Sequence, residues 1–167
     1  MAEDRHLPAD WLNDAAKSFV PDAGRFESWR KYSHLEVLIA DAPTLFEYRN
    51  DAAVSVMQDW DLPYTLERAR SRLAMQAHLH DVTAGEWISF AVEELANPGE
   101  VIGDVACHLD ERAAVAEIGY TFRTQYQHRG YAREATSALV DHILTIPTVH
   151  RLEASLDPEN RPSMRVL

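Results

Sequence analysis

The stretch Gln127-His128-Arg129-Gly130-Tyr131-Ala132 joins a strand-like run, which ends near Phe122, to a helical pattern. After Gly130 the apolar residues recur at a spacing that places one apolar stripe along a helix. These residues are Ala132, Ala135, Leu139, Val140, Ile143 and Leu144. The first N–H groups of a helix have no partner within it and the helix dipole is positive there, so a pyrophosphate group can bind to main chain alone. The pattern therefore predicts a phosphate-binding loop, and its ordinary alternative is a polar turn before a helix.

The charge of this loop differs from that of the whole chain. Residues 123–133 contain Arg123, Arg129 and Arg133 but no aspartate or glutamate, whereas the chain carries a formal net charge of −11. An anionic ligand is therefore expected at the loop, where Gly130 allows close approach of the backbone. The overall negative charge opposes binding to nucleic acid or anionic lipid and favours cationic partners such as amines.

The composition indicates a single globular domain. The 167 residues, 46% of them hydrophobic, suffice for one core, and a second full domain is not expected. No window approaches the ~20 apolar residues of a membrane helix, and charges at residues 3–5 argue against a secretory signal, so a cytoplasmic protein is expected. Cys107 is the only cysteine, and the apolar alternation around it predicts a buried packing residue rather than a catalytic thiol.

The order of patterns along the chain suggests an extension followed by a domain. Residues 1–33 are interpreted as an N-terminal extension and residues 34–167 as the folded domain. Apolar alternation over residues 35–39 predicts a first strand, and Asp41 is a candidate N-cap for the helix after it. A second helix is predicted from Thr65 to about His78.

The sequence patterns in the second half of the domain predict a β-sheet. Alternating residues predict strands at Ile88 to Val92, Val101 to His108, Val115 to Phe122 and Arg151 to Leu156, with a turn at residues 97–99. The first three form an antiparallel meander, and the long helix crosses over to a parallel last strand. The predicted fold is α/β in the broad sense (α+β), a mixed, mainly antiparallel sheet with helices on both sides.

Several short sequence segments before and after the loop occur in the order expected of one family. They are Asp41 to Phe46, Trp60 with Pro63 to Thr65, Gly85 to Trp87, Gly99 to Asp104, Ala116 to Phe122, and Asp157 to Asn160 with Ser163. Together with the loop, this series resembles the GNAT acyltransferase superfamily. Within it, the chain is most similar to the Rim-type branch of N-acetyltransferases, named for enzymes that acetylate the amino termini of ribosomal proteins. The resemblance runs from about His34 to Leu167 and implies the GNAT fold.

The resemblance implies acetyl-CoA as acyl donor and a set of residues that hold it. In relatives, main-chain groups at the positions of Tyr120, Thr121 and Phe122 pair with the pantetheine arm. The pyrophosphate rests on the loop, and a residue beyond the fifth strand contacts the pantetheine arm. The expected cofactor-binding residues outside that strand are accordingly Gln127, His128, Arg129, Gly130, Tyr131, Ala132 and Asn160.

Two catalytic residues are implied by the same resemblance. Glu117 is the candidate base that removes a proton from the attacking amine, because a glutamate at this position often does so in relatives; its alternative is a cross-strand ion pair or a solvent-facing residue. Ser163 is the candidate proton donor to the departing thiolate. Helix capping is the alternative for Ser163 and for Asn160, since both residue types favour such positions.

The end of the chain departs from the family. Relatives continue from the helix near Arg165 to Leu167 into two more strands, which in many members carry a tyrosine that protonates the thiolate. We expect either a chain cut short or a second chain that completes the sheet, which makes a homodimer one expectation. Without those strands the fifth strand would expose an apolar edge.

The function expected from these residues is an acetyl-CoA-dependent N-acetyltransferase that uses direct attack within a ternary complex. The acceptor would be a protein amino terminus or a small amine. Two alternatives stay open: an aminoglycoside or polyamine acetyltransferase, and a noncatalytic acyl-CoA-binding or sensor module. No metal is expected, because His78 and His80 lack further ligands nearby in sequence.

Other charged residues have an ordinary interpretation. Asp59, Trp60 and Asp61 form either a pocket rim or a plain loop between helices. Arg68, Arg70 and Arg72 are spaced by two and cannot share one helical face, so a solvated surface is predicted for them.

Overall fold

The computed structural model describes residues 29–31, 35–79, 81–94, 96–97 and 99–167. His80, Pro98 and residues 1–28 of the predicted extension lie outside the described part. The elements are β1 (Trp29–Lys31), α1 (Leu35–Asn50), α2 (Ala52–Ser55), α3 (Leu66–Met75), β2 (Trp87–Glu93), β3 (Val101–Leu109), β4 (Val115–Phe122), a 3-10 turn (Thr124–Tyr126), α4 (Tyr131–Ile143), β5 (Arg151–Glu153) and α5 (Arg161–Met164). In the described part of the chain, no helix combines the length and the apolar character needed to span a membrane.

The five strands form one sheet in the order β1-β2-β3-β4-β5. Neighbours from β1 to β4 are antiparallel, and β4 pairs with β5 in parallel. This confirms the predicted mixed, mainly antiparallel sheet of an α+β protein. The parallel pair follows from α4, which carries the chain across the sheet between β4 and β5, as a parallel connection requires.

The strand predicted over residues 35–39 is wrong. These residues begin α1, which runs without interruption to Asn50 and contains Asp41, so Asp41 is not an N-cap. The apolar residues at 35, 38, 39, 42 and 45 also fit a helical period, and a short apolar run does not distinguish the two. The first strand is instead β1, which lies within the predicted extension and pairs with β2.

The sheet separates two clusters of buried side chains. One face packs against α4 and is wholly apolar, with Ile88, Val105 and Cys107 completely buried against Leu139 and Ile143. The other face packs against α1 and α3 through a smaller cluster, which contains Ala42, Leu45, Tyr48, Tyr64, Ala69, Leu73, Ala91 and Val101. Cys107 is therefore a buried packing residue, as predicted.

The face toward α1 and α3 also carries polar side chains. Register places Asp104 opposite Thr121, Ala106 opposite Gly119 and His108 opposite Glu117 in the β3–β4 pair. Residues directly opposite one another in an antiparallel pair point to the same face of the sheet. The apolar cluster covers only part of this face: Asp104 and Thr121 are buried, whereas His108 and Glu117 are half-buried.

Candidate active site

The opening in the sheet lies between β4 and β5. Their pairing ends at Glu117 and Glu153, so the predicted last strand is shorter than expected and does not reach Leu156. Beyond Glu117 the edge of β4 from Ile118 to Phe122 has no paired strand among the described residues. Two cavities meet at this edge, and both are lined by Tyr120 and Thr121.

The smaller cavity, of about 500 Å³, is lined by the loop after β4 and by α5. Of the residues predicted to hold a cofactor, nine line it: Tyr120, Thr121, Phe122, Gln127, His128, Gly130, Tyr131, Ala132 and Asn160. Ser163 lines it as well. Arg129 does not, and its guanidinium lies 5.7 Å from the ring centre of Tyr126. The structure therefore brings together almost all of the predicted set.

The loop of the smaller cavity has the backbone that main-chain binding requires. His128 and Gly130 both have positive φ, 60° and 89°, and Gly130 is the N-cap of α4. The first bond of the helix runs from the Glu134 amide to the Gly130 carbonyl. A Cβ built on Gly130 would meet no atom within 4 Å, so the residue faces open space. A helix N-terminus opening on a cavity in this way suits an anion.

Side chains of the loop hold it against the rest of the fold. Gln127 Nε2 donates to the Phe122 carbonyl at 2.9 Å. The hydroxyl groups of Tyr126 and Tyr131 donate to Glu100 and Glu94, which belong to the connection between β2 and β3. The hydrogen bond to Glu100 raises the pKa of Tyr126. Gln127 and Tyr131 thus position the loop as well as line the cavity.

The opposite wall of the smaller cavity is the start of α5. Asn160 is the N-cap, and its Oδ1 accepts from the Ser163 amide at 3.2 Å. The Tyr120 hydroxyl donates to the Ser163 carbonyl at 3.0 Å, which ties α5 to β4, and burial raises the pKa of Tyr120. The capping interaction considered for Asn160 is therefore present.

The larger cavity, of about 850 Å³, lies between the polar face of the sheet and α1 and α3. Glu117 lines it from β4 and is half-buried. Across the strand pair lies His108, whose ring stacks at 5.3 Å on that of Trp87. Of the three residues for which a pocket rim was one alternative, Asp59 and Trp60 line this cavity and Asp61 does not.

A buried polar network forms part of its wall and was not predicted from the sequence. Asp104 on β3 accepts a hydrogen bond from the Tyr48 hydroxyl, and its Oδ2 lies 3.8 Å from Arg49 Nη2. The Arg49 guanidinium stacks 4.3 Å from the ring centre of Trp60, whose indole N–H donates to the Arg49 carbonyl. More than fifty residues separate Asp104 from Tyr48 and Arg49, so no local pattern indicates this network.

The arginines of α3 do not all behave as the spacing predicted. Arg70 is exposed and does not line either cavity, as expected of a solvated surface. Arg68 is exposed too, as predicted, although it lines the larger cavity. Arg72, one helical turn further along, lines the same cavity but is half-buried, so the prediction is wrong for Arg72. Two residues spaced by four share a face even when the residue between them does not.

Comparison with known proteins assigns the family. Residues 35–167 match the model of the Acetyltransferase (GNAT) domain. The uncharacterized N-acetyltransferase p20 of Bacillus licheniformis is 31% identical over 131 residues, 77% of this chain and 71% of p20. The chain belongs to the GNAT acetyltransferase family. This confirms the predicted enzyme class, an N-acetyltransferase with acetyl-CoA as acyl donor.

Solved structures support the same assignment. A proposed ribosomal-protein-serine acetyltransferase from Vibrio cholerae superposes with a TM-score of 0.60 at 25% identity, over 77% of this chain and 71% of that one. RimJ of Mycobacterium smegmatis, solved with CoA-disulfide, superposes with a TM-score of 0.62 at 22% identity, over 86% and 71%. The first superposition confirms the resemblance to the Rim-type branch, and the second, at 22% identity, confirms the fold.

Among the described residues, no group of three or more His, Cys, Asp or Glu side chains is arranged to hold a metal ion.

Proposed function

We propose that the protein transfers an acetyl group from acetyl-CoA to a primary amine, with the donor in the smaller cavity and the acceptor in the larger one. The observation that carries the proposal is the end of β4–β5 pairing at Glu117, because it opens the edge of β4 at the point where the two cavities meet. A donor and an acceptor entering from opposite sides would meet at that edge.

The residues of the smaller cavity fit the donor. The pyrophosphate would rest on main-chain amides of residues 128–132, where two residues of positive φ precede a helix N-terminus facing open space. Gly130 leaves room for close approach, and Asn160 lies on the opposite wall. When bound, acetyl-CoA supplies a thioester carbonyl activated toward attack by an amine.

The open edge of β4 would orient the donor. A pantetheine arm that lies along Tyr120, Thr121 and Phe122 can pair with main-chain groups as a strand does. A main-chain N–H of this edge would also donate to the thioester oxygen. A positioned donor of this kind contributes about 2.7 to 4 kcal/mol to acyl-transfer barriers.

Glu117 would act as the base. An amino terminus has a pKa of about 7.7 to 8.0 and lysine about 10.4, so either acceptor must lose a proton before it attacks. Glu117 lines the larger cavity from the strand that borders the opening and is partly accessible, which allows it to accept that proton directly or through a water molecule.

Ser163 would donate its hydroxyl proton to the departing sulfur and regain a proton from water, so that the thiol leaves neutral. Ser163 lines the smaller cavity at the start of α5, and its own carbonyl is tied to β4 through the Tyr120 hydroxyl, so its position relative to the open edge is well defined. The acceptor that these residues would serve is a protein amino terminus or a small amine.

The first test combines binding and turnover in one preparation. Calorimetric titration with acetyl-CoA should show binding, and release of free thiol should then depend on the amine added from a panel of peptide amino termini and polyamines. Acetyl-CoA binding without thiol release on any amine would instead support the noncatalytic acyl-CoA-binding module. Absence of acetyl-CoA binding would overturn the placement of the donor.

A further inference from the structure

The larger cavity contains three arginines whose charges are balanced to different degrees. Arg49 lies 3.8 Å from the buried carboxylate of Asp104. Arg68 lies at the same distance from the Asp61 carboxylate and also donates to the Asp61 carbonyl. The charges of Arg49 and Arg68 are therefore compensated by carboxylates of the chain itself.

Arg72 differs from these two. It is half-buried, and in the described part of the chain it forms no ion pair with a carboxylate. Its Nη2 reaches the Ser89 hydroxyl, a neutral group, at 3.4 Å. A guanidinium that is partly removed from water and lacks a counter-charge favours an anionic ligand.

Ser89 fixes where this charge lies relative to the proposed base. Ser89 pairs with Ala106, which pairs with Gly119, two residues beyond Glu117 on the same face of the sheet. The path from Ser89 to Glu117 crosses from β2 to β3 and from β3 to β4, and then runs two residues along β4. With the usual strand spacing and rise per residue, the two backbones lie roughly 12 Å apart. An extended peptide advances about 3.3 Å per residue, so a side chain at its second or third position spans this gap.

We propose that Arg72, held by Ser89, forms an anion subsite of the acceptor cavity, and that the acceptor is a peptide amino terminus with a carboxylate side chain at its second or third residue. The amine would lie at Glu117 and the carboxylate at Arg72. This inference rests on the proposed function, since it takes the larger cavity as the acceptor site. It disfavours polycationic acceptors, whose ammonium groups would be repelled by Arg72.

Peptide kinetics test the subsite directly. Tetrapeptides that differ only in glutamate, glutamine or lysine at the second position, and a second set varied at the third, are compared by kcat/KM. We expect the wild-type protein to prefer a glutamate peptide over its glutamine match by about tenfold or more, mainly through KM, because a hydrogen bond to a charged group is lost. Arg72→Gln should remove this preference.

Arg70→Gln is the matched control, because it removes the same charge from the same helix at an exposed residue that does not line the cavity. It should keep the wild-type preference. Equal use of glutamate and glutamine peptides at both positions by the wild-type protein, or a preference that survives Arg72→Gln, would overturn the subsite while leaving the acetyltransferase proposal intact.

Binding separates the two proposals if no peptide is acetylated. Absence of turnover on all amines contradicts the proposed function, whereas calorimetric titration of the protein–CoA complex with the same peptides still measures the subsite. Tighter binding of a glutamate peptide that is lost in Arg72→Gln supports it. Equal binding of glutamate and glutamine peptides, or no binding of either, contradicts it.

Discussion

The smaller cavity takes most of its lining from consecutive residues of one loop, whereas the larger cavity draws its charged groups from α1, α3, β3, β4 and the loops that contain Asp59 and Asp157. In the loop, the decisive features are the positive φ of His128 and Gly130 and the helix N-terminus that follows. In the larger cavity, Asp104, Arg72 and Glu117 are brought together only by the packing of separate elements.

This difference separates two kinds of recognition. Main-chain amides are present in every sequence, so the loop depends on backbone geometry and on room for a phosphate, both of which a short motif can encode. The larger cavity depends on individual side chains and their distances, which arise from long-range packing. A substitution in the loop should therefore affect donor binding, and one in the larger cavity should affect turnover, specificity or stability.

The largest effect is expected for Gly130→Asp, which should abolish measurable binding of acetyl-CoA. The substitution places a carboxylate against phosphate, and like charges brought together at an interface cost several kcal/mol. Gly130 also has a φ of 89°, where any side chain is strained. Calorimetric titration measures the loss.

Two variants separate charge from strain in this experiment. Gly130→Ala adds strain without charge and should weaken binding less than Gly130→Asp. Gly85→Ala adds similar strain in the turn before β2, where φ is 80° and the nearest atom lies 3.8 Å from the new Cβ, and should bind acetyl-CoA normally. Normal binding by Gly130→Asp would show that the loop does not hold the phosphates.

Glu117→Gln should leave acetyl-CoA binding unchanged and lower kcat about 100-fold, the order of contribution of a general base. The deficit should shrink as the pH rises through about 8, because an amino terminus then loses its proton without help. Steady-state kinetics across pH measure both effects. Glu111→Gln removes an equal charge from the exposed turn between β3 and β4 and serves as control; wild-type kinetics for Glu117→Gln would remove its role as base.

Asp104→Asn should lower the free energy of unfolding by about 3 kcal/mol, because it removes the carboxylate that pairs with the buried guanidinium of Arg49. Asp61→Asn breaks another Arg–Asp pair of the same cavity, but that aspartate is 95% exposed and its arginine 45%, so a loss below about 1 kcal/mol is expected. Denaturant titration of both variants tests whether the cavity depends on its buried network. Equal stability of the two would mean that the network contributes nothing to the fold.

The smallest effect concerns Cys107, on the apolar face of the sheet opposite the larger cavity. Burial, with a further contribution from the charge of Asp81, raises the pKa of its thiol to about 12, so the reactive thiolate is scarce at pH 8. A colorimetric thiol reagent should react slowly with the folded protein at pH 8, faster at higher pH, and readily in denaturant. Rapid reaction of the folded protein would mean that solvent reaches the apolar face of the sheet. Cys107 would then contribute a background signal to thiol-release assays.

Local periodicity predicted the elements around the smaller cavity well. Strand β4 and helix α4 lie where the pattern placed them, because both bury a face of their own in the larger apolar cluster. The same reasoning failed at residues 35–39, where a short apolar run fits a helix and a strand equally, and the structure continues α1 through it. It also made β5 too long, because strand pairing depends on a neighbour that diverges after Glu117.

The side chains of the larger cavity were predicted only in part. Glu117 was named through family resemblance, and Trp60 through its place between helices. The spacing of two between Arg70 and Arg72 predicts a surface residue at Arg72, whereas the spacing of four from Arg68 places Arg68 and Arg72 on one helical face. The position of Arg72 beside Ser89 depends on how α3 packs over β2, which a one-dimensional pattern does not contain.

The amino-acid sequence was enough to predict the order of β2 to β4, the helix after Gly130 and a loop before that helix with the pattern of a phosphate-binding loop, because each arises from residues adjacent along the chain. Only folding sets where β5 leaves β4 and how the Tyr48–Asp104–Arg49 network closes one wall. Folding also sets which arginine of the larger cavity, Arg72, forms no ion pair with a carboxylate among the described residues. The physical reason is the separation along the chain between the residues that determine each property. Backbone conformation depends on a few neighbouring residues, whereas the charge balance of a cavity depends on side chains that only folding brings within contact distance.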